Sequence, residues 1–133
     1  MSKITCTSPI DGSVYVEKDV QSKQEIENLL KAARTAQIKW VATGLNDRIS
    51  LVKAAVSKLE DMNDEIVTEL AHQMGRPVRY GGEIGGVKER TEHMCSIAEE
   101  NLAPTIIESS DQFERYIAKE ALGLVFVIAP WNY

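Results

Sequence analysis

The sequence predicts an α/β protein in which most of the present chain is α-helical. Apolar residues recur at helical spacing over much of residues 23–102, which is typical of amphipathic helices. A nearly continuous apolar run, Leu122–Ala129, follows near the end of the chain. This run is rich in β-branched residues, as is a strand buried on both faces of a parallel sheet. The 133 residues amount to about one domain.

Composition and charge narrow the class of protein. The chain has 15 Lys and Arg against 20 Asp and Glu, so its net charge is −5. This charge argues against sequence-independent binding of nucleic acid and against binding to anionic membranes. No apolar run approaches the roughly 20 residues that cross a bilayer, and the N-terminus resembles no secretory signal. Cys6 and Cys95 have no metal or disulfide spacing, so we expect a soluble, cytoplasmic protein with free thiols.

The first turn and the first helix have clear local signals. Ser8–Ser13 is dense in turn-forming residues, and Val14–Val16 is a short extended run within an otherwise irregular start. Ser22 is followed three residues later by Glu25, a capping box that predicts a helix start. Gly44 is expected to end this first helix.

Three more helices are expected. The second begins near Leu45, and the third has Asn63 as its N-cap and stops at Gly75, because glycine adopts the left-handed conformation that commonly ends helices. The fourth follows a glycine-rich hinge over residues 81–86 and ends before Pro104. Most of the core is expected from apolar positions on these helices, namely Leu29, Leu30, Trp40, Ile49, Val52, Val56, Leu59, Ile66, Leu70, Val87, Met94 and Leu102.

Two strands are expected after the helices. Phe113–Lys119 has the pattern of an exposed strand, and Leu122–Ala129 that of a doubly buried one. A doubly buried strand needs a neighbour on each side and helices above and below, and the chain supplies none after it. We therefore expect the chain to be the opening portion of a larger α/β protein.

Several possible sites are weak by spacing alone. Gly81 and Gly86 are separated as in a phosphate-binding loop, but no strand precedes them and the lysine comes one position late, so a hinge or helix start is favoured. His72 and His93 lack companion ligands and are interpreted as helix-surface or half-buried residues, and no metal site is expected. The position of Cys95 suggests a core thiol, and Cys6 lies too near the N-terminus to be a positioned nucleophile.

The end of the chain offers a more specific arrangement. A loop at the carboxyl end of a parallel strand faces the crevice where α/β proteins bind ligands. Pro130 would end the strand, and Trp131 would offer a flat apolar face to a cofactor. The side-chain amide of Asn132 could donate a hydrogen bond to a developing oxyanion.

These residues carry a resemblance to a known family. The segment Gly123–Tyr133 resembles the G-x-V-x-x-I-x-P-W-N-[FY] motif of NAD(P)-dependent aldehyde dehydrogenases. Three earlier features occur in the same order in that family, namely the Ser8–Gly12 opening, the helix end Met74–Pro77 and the Tyr116–Gly123 approach to the motif. The resemblance therefore covers essentially the whole chain, which corresponds to the N-terminal portion of a family member. Ala121 departs from the family, which often has proline there.

The resemblance implies an enzyme that oxidises an aldehyde to a carboxylic acid with NAD or NADP through a cysteine thioester. It implies that Asn132 is the catalytic oxyanion donor and that Tyr133 borders the substrate tunnel. In the family, residues 113–120 lie in an arm that joins subunits, so the resemblance implies a homo-oligomer, and self-association is expected through residues 113–129. Four residues would line the cofactor crevice, namely Ile128, Ala129, Pro130 and Trp131.

The same resemblance implies a division of the chain and a limit on its activity. Residues 1–110 would be the N-terminal helical part of the cofactor-binding domain, 111–121 the oligomerisation-arm strand, and 122–133 the first strand and P-W-N loop of the dinucleotide-binding Rossmann fold. The nucleophile and general base of the family lie beyond residue 133, so this chain alone is expected to be inactive and is not expected to bind the cofactor. Two alternatives stay open, a stand-alone helical interaction module and a small chain that docks on a full-length dehydrogenase. The identity of the aldehyde and the choice between NAD and NADP are not predicted.

Overall fold

A computed structural model describes residues 2–129 and consists mainly of helices flanked by two hairpins. The elements, in chain order, are β1 (Lys3–Thr7), β2 (Val14–Asp19), α1 (Lys23–Ala42), α2 (Leu45–Asp61), α3 (Asn63–Met74), a 3₁₀ turn (Val78–Tyr80), α4 (Ile84–Ser96), α5 (Ala98–Leu102), β3 (Thr105–Ser109) and β4 (Glu114–Ile117). The prediction of a mostly helical chain is confirmed.

The N-terminus forms an antiparallel hairpin, which corrects the expectation of an irregular start. β1 pairs with β2 from Lys3 opposite Asp19, with a bulge between Cys6 and Thr7. The intervening turn closes through a hydrogen bond from Ser8 N to Ser13 O (2.8 Å). The sequence signal for β1 was weak because the strand has five residues, and Ile4 and Cys6 are its only apolar positions.

Helix α1 begins as the capping box predicts. Ser22 Oγ accepts a hydrogen bond from Glu25 N at 3.3 Å, and Glu25 Oε2 accepts one from Ser22 N at 2.7 Å. These bonds satisfy the backbone N–H groups of Ser22 and Glu25, which would otherwise have only water as a partner at the helix start. Ser22 is the N-cap, and the helix ends at Ala42.

The start of α3 differs by one residue from the prediction, whereas its end does not. Met62 rather than Asn63 is the N-cap, because this single residue is the whole connection between α2 and α3. Gly75 is in the left-handed conformation with φ +73°, and its N–H donates to Ala71 O at 3.0 Å. The stop signal at Gly75 is therefore confirmed.

The predicted fourth helix is two helices, α4 and α5, interrupted at Ile97. Ser96 Oγ donates to His93 O at 2.7 Å and so takes up a carbonyl near the helix end, while Ile97 N also bonds to His93 O. Such back-bonding by a serine hydroxyl competes with the regular helical ladder. Gly85 lies inside α4, so the glycine segment is the start of a helix as expected.

The second hairpin pairs β3 with β4, with an irregularity between Ile106 and Glu108. β4 lies within the predicted strand Phe113–Lys119, but β3 was not predicted. β3 lies before the domain boundary expected at residue 110 and β4 lies after it, so the hairpin spans that boundary.

The expected first Rossmann strand, Leu122–Ala129, is not a strand in this structure. Leu122 is 93% exposed and Phe126 is 87% exposed. A strand exists only with a hydrogen-bonded neighbour, and residues 2–129 offer none to this segment. The expected burial on both faces is therefore not confirmed within residues 2–129.

The predicted core is also mostly exposed. Among the expected positions only Val56 is buried, and within residues 2–129 the other buried residues are Ala71 and Ser8. The remaining expected core residues are half-buried or exposed, namely Leu29, Leu30, Trp40, Ile49, Val52, Leu59, Ile66, Leu70, Val87, Met94 and Leu102. The chain exposes 11272 Å², whereas a compact monomer of 14.8 kDa exposes about 7,000 Å². Helices α2 and α4 pack on each other, but a large apolar surface is left uncovered.

Candidate functional site

The predicted site at the end of the chain is only partly described. Ile128 is 78% exposed and Ala129 is also exposed, and neither belongs to a strand. Pro130, Trp131, Asn132 and Tyr133 lie outside the described residues. Ile128 and Ala129 are the two predicted site residues that the structure describes, and they are neighbours in the chain.

The fit of a nicotinamide cofactor can be tested on these two residues. A dinucleotide binds in a crevice between the carboxyl ends of neighbouring parallel strands. Within residues 2–129, both sheets are two-stranded and antiparallel, and Ile128 and Ala129 belong to neither. The described part of the chain therefore does not form a pocket for NAD or NADP by itself.

A polar cluster joins the N-terminal hairpin to α3. Tyr15 from β2 donates its hydroxyl hydrogen to Glu69 Oε1 at 2.8 Å, and its ring stacks on that of His72 with centroids 4.7 Å apart. The hydrogen bond from Tyr15 lowers the pKa of Glu69, with further lowering by Gln73. The same bond to Glu69 raises the pKa of Tyr15, because ionised tyrosine could not donate it.

Two further contacts strengthen this junction. Cys6 Sγ lies 3.8 Å from Gln73 O, which makes a weak hydrogen bond between β1 and α3. A Cβ at Gly75 would lie 3.0 Å from Pro9 Cγ, so the hairpin turn sits directly against the end of α3. Cys6 is thus part of a strand that is held against a helix, whereas the sequence predicted an irregular segment there.

A second feature is an open groove between α2 and the α4–α5 pair. We name it the Arg48 groove, and it has a volume of about 260 Å³. Arg48 is half-buried, and its Nε is buried without a hydrogen-bond partner among residues 2–129. The groove is lined by Trp40, Leu45, Arg48, Ile49, Val52, Met94, Cys95 and Ala98.

Two ion pairs hold α2 and α4 together beside this groove. Lys53 Nζ lies 2.6 Å from Glu92 Oε2, and Lys88 Nζ lies 2.8 Å from Glu60 Oε1. The hydrogen bond to Glu92 raises the pKa of Lys53, and the hydrogen bond to Glu60 raises that of Lys88. These partly exposed pairs connect the two helices, and each is expected to contribute no more than about 1 kcal/mol to stability.

The glycine segment has a structural role. A 3₁₀ turn rather than a strand precedes it, which disfavours phosphate binding as the sequence predicts. Arg76 Nε donates to Gly81 O at 3.2 Å, and its guanidinium pairs with Glu83 at 2.7 Å. A Cβ at Gly82 would lie 2.7 Å from Asn63 Oδ1, so this glycine permits the close approach of the segment to α3.

The remaining candidates of the sequence behave as helix residues. His72 is half-buried and Cys95 is half-buried in the groove, whereas His93 is exposed. Within residues 2–129 no group of three or more metal-ligating side chains is close enough to hold a metal ion. The same described residues contain no helix that is both long and apolar enough to cross a membrane.

Sequence reasoning missed the Tyr15 cluster and the Arg48 groove. The partners in the cluster are 54 residues apart, so no local pattern could reveal them. A signal for the groove was present, because Arg48 interrupts the apolar stripe of Leu45, Ile49 and Val52 on α2. A cation on the inner face of an amphipathic helix often marks a specific contact.

Comparison with known proteins agrees with the resemblance at the end of the chain. The sequence profile described as "Aldehyde dehydrogenase family" matches residues 1–133. Vanillin dehydrogenase from Corynebacterium glutamicum is 27% identical over 133 residues, which are 97% of this chain and 27% of that protein. Aldehyde dehydrogenase B from Escherichia coli is 26% identical, over 95% of this chain and 25% of that protein.

A solved structure is similar as well. The crystal structure of an NAD-dependent benzaldehyde dehydrogenase from Corynebacterium glutamicum has a TM-score of 0.71 and 26% identity, over 82% of this chain and 23% of that one. The chain thus spans about a quarter of the length of the proteins it matches. With the family profile matched from the first residue to the last, this chain belongs to the aldehyde dehydrogenase family.

Proposed function

We propose that this chain is the N-terminal portion of an enzyme that oxidises an aldehyde to a carboxylic acid through a cysteine thioester. The observation that carries the proposal is the family match over residues 1–133, which includes the P-W-N segment. NAD or NADP, when bound to the assembled enzyme, accepts the hydride. Proteins similar to this chain include an NAD-dependent enzyme and an NADP-dependent enzyme, so we propose NAD or NADP without choosing between them.

Asn132 is the residue of this chain that we assign to catalysis. Its side-chain amide would donate a hydrogen bond to the aldehyde oxygen as negative charge develops there. Ile128, Ala129, Pro130 and Trp131 would line the cofactor crevice, and Tyr133 would border the substrate. Because Ile128 and Ala129 are exposed here, this assignment requires neighbouring strands from the rest of an assembled enzyme.

The chain alone is proposed to be inactive. Cys6 is engaged with α3 and Cys95 lies in an apolar groove, and neither is close in sequence to the P-W-N segment. A nucleophile and a general base from beyond residue 133 are needed, since such groups act as a unit. We also propose a cytoplasmic location, because Cys6 and Cys95 are free thiols, and a homo-oligomer that assembles through residues 113–129.

The proposal is tested with two proteins, the 133-residue chain and the product of the complete reading frame that encodes it. Aldehyde-dependent reduction of NAD+ or NADP+ is followed at saturating cofactor with a panel of aliphatic and aromatic aldehydes. We expect activity in the complete product and none in the chain. In the complete product, Asn132→Ala is expected to lower kcat about 10²–10³-fold.

Matched controls separate the oxyanion role from folding. Asn101→Ala changes the same residue type on exposed α5 and should leave kcat unchanged. A complete product that is folded but inert toward every aldehyde would refute the enzyme assignment. In that case, co-purification with a larger dehydrogenase would identify a docking chain, and its absence an interaction module.

A further inference from the structure

The turn of the N-terminal hairpin contains a chemically reactive dipeptide, Asp11–Gly12. It is the one place in the sequence where glycine follows an aspartate or an asparagine. The backbone nitrogen of the residue after an aspartate can attack the side-chain carboxyl carbon, and glycine leaves this approach unhindered because it has no Cβ. Asp11 and Gly12 are both exposed, so water reaches them. The turn therefore holds both reacting groups of an intramolecular ring closure.

The reaction at this dipeptide needs no reagent other than water. Gly12 N bonds to Cγ of protonated Asp11, and the hydroxyl group of the carboxyl leaves with the amide hydrogen as water. A second water then opens the five-membered succinimide at either carbonyl. Opening at the original backbone carbonyl leaves the chain running through Cβ and Cγ, which is an isoaspartate. No atom is gained or lost overall, and no group is oxidised or reduced.

Hydrogen bonds within the turn restrain both reacting groups. Gly12 N donates to Ser8 O at 2.9 Å, so the attacking nitrogen is engaged. Asp11 Oδ1 accepts from Ser13 N at 3.0 Å and from Ser13 Oγ at 2.7 Å. These bonds, the backbone one first, lower the pKa of Asp11 and so favour the carboxylate, which is a poorer electrophile than the acid. Ring closure in the folded turn competes with all three bonds.

The same turn is packed against the end of α3. Ser8 is 1% exposed, and a Cβ at Gly75 would lie 3.0 Å from Pro9 Cγ. Ser8 N also donates to Ser13 O at 2.8 Å and so closes the turn. An isoaspartate adds one carbon atom to the backbone between Ser8 and Ser13, which is about 1.5 Å of extra chain. The turn must then change shape at a place where α3 leaves it little room.

We propose that Asp11 is a site of spontaneous conversion to isoaspartate, which Ser8 and Ser13 restrain while the turn is closed and which proceeds when the hairpin opens. Once formed, the isoaspartate weakens the docking of the hairpin on α3. Local opening of the hairpin thus sets the rate of conversion, and conversion in turn favours the open hairpin. The proposal is independent of the enzymatic function, because all the reacting groups lie within one turn.

The first test measures conversion in the product of the complete reading frame, either folded in buffer or unfolded in urea at the same pH. Water enriched in the heavy isotope of oxygen adds one heavy atom at each ring opening, and peptide mass spectrometry with an isoaspartyl standard locates the product. We expect conversion at Asp11 to be roughly tenfold or more slower in the folded protein. Asp111, in the turn between β3 and β4, is the internal control, since Gln112 follows it and should make its conversion much slower in urea.

Two variants test the restraint by Ser13. Ser13→Ala removes the hydroxyl bond to Asp11 and should raise the rate in the folded protein about two- to tenfold, the effect of losing one such hydrogen bond. Ser57→Ala makes the same change on an exposed part of α2 and should leave the rate unchanged. In urea both variants should convert at the rate of the original protein. Equal rates for the two variants in buffer would show that Ser13 does not restrain Asp11 and would overturn its role.

Cys6 tests whether the converted hairpin leaves α3, since it is half-buried and its Sγ contacts Gln73 O. Protein that has been partly converted by long incubation in buffer is treated briefly with N-ethylmaleimide. Trypsin releases residues 4–18 as one peptide, so the label on Cys6 and the isoaspartate at position 11 are read on the same molecule. We expect labelling at least about twofold faster in converted molecules, as the loss of even one hydrogen bond of the junction would give.

Three results would overturn the proposal. The absence of isoaspartate at position 11 after incubation in urea would show that the dipeptide is not reactive. Equal rates at Asp11 in buffer and in urea would show that the folded turn does not restrain it. Equal labelling of Cys6 in converted and unconverted molecules would show that conversion does not weaken the docking on α3.

Discussion

Replacing Gly75 by alanine is expected to destabilise the chain at the end of α3. Gly75 has φ +73°, a left-handed conformation that costs an L-residue about 1–2 kcal/mol. The added Cβ would also lie 3.0 Å from Pro9 Cγ, so the hairpin turn must shift by a few tenths of an ångström. We therefore expect Gly75→Ala to lower the free energy of unfolding by about 1–2 kcal/mol, with the steric contact acting in the same direction.

Gly85→Ala is a matched control with the opposite sign. Gly85 lies inside α4, does not have a positive φ, and has nothing within 4 Å of an added Cβ. Alanine is preferred to glycine in a helix interior by about 1 kcal/mol, and because Gly85 is the second residue of α4 we expect a smaller gain in stability of the same sign. Both changes add one methyl group, and the difference in sign isolates the effect of backbone conformation.

The assay is urea unfolding of the 133-residue chain, followed by the helical far-UV circular dichroism signal. If the transition is too broad for a midpoint, the helical signal at a fixed intermediate urea concentration gives the same ranking. The reasoning is refuted if both variants shift stability in the same direction, or if Gly75→Ala leaves it unchanged.

Three further outcomes are expected. Tyr15→Phe removes the hydrogen bond to Glu69 and should increase proteolysis between β1 and β2. Lowering the pH should have the same effect, because the pKa of Glu69 is lower in the folded chain than its ordinary value of 4.5. The stabilisation by ionised Glu69 is therefore present above pH 4.5 and is lost as the pH falls through the folded-state pKa. Proteolysis that is unaffected by either change would contradict this role. Lys53→Met removes the solvent-exposed pair with Glu92, and its destabilisation should shrink in about 1 M salt, because salt weakens ion pairs between exposed charges. An effect that is equal at low and high salt would indicate lost packing instead. Phe126→Lys should reduce self-association of the chain in light scattering, since Phe126 is 87% exposed within the proposed oligomer segment, and a monomeric original chain would refute that assembly.

The helical part of the fold could be predicted because its signals are local. Ser22 with Glu25 marks the start of α1, and Gly75 marks the end of α3, each through bonds within a few residues. The start of α3 was missed by one residue because its connection to α2 is too short for a separate cap. The hairpins were harder, since the strands β1 and β3 have only five residues each and carry only two apolar residues each.

Burial was predicted least well because it depends on what surrounds a helix, not on the helix itself. Leu29 and Leu30 have the spacing of core residues, yet they are 58% and 50% exposed. The run Leu122–Ala129 likewise has the composition of a buried strand without a neighbour to pair with. The P-W-N segment was informative for another reason, since it identifies a family by residue type and order even though residues 130–133 are not described.

The junction between the N-terminal hairpin and α3 constrains the order in which the chain can fold during synthesis. Tyr15 and Glu69 are 54 residues apart, and Cys6 and Gln73 are 67 residues apart. The first strand leaves the ribosome well before its docking surface exists, whereas α1 and α2 can form from local contacts as they emerge. The N-terminal hairpin therefore cannot reach its final place before α3 has formed, and until then it is exposed to proteases and to other nascent chains.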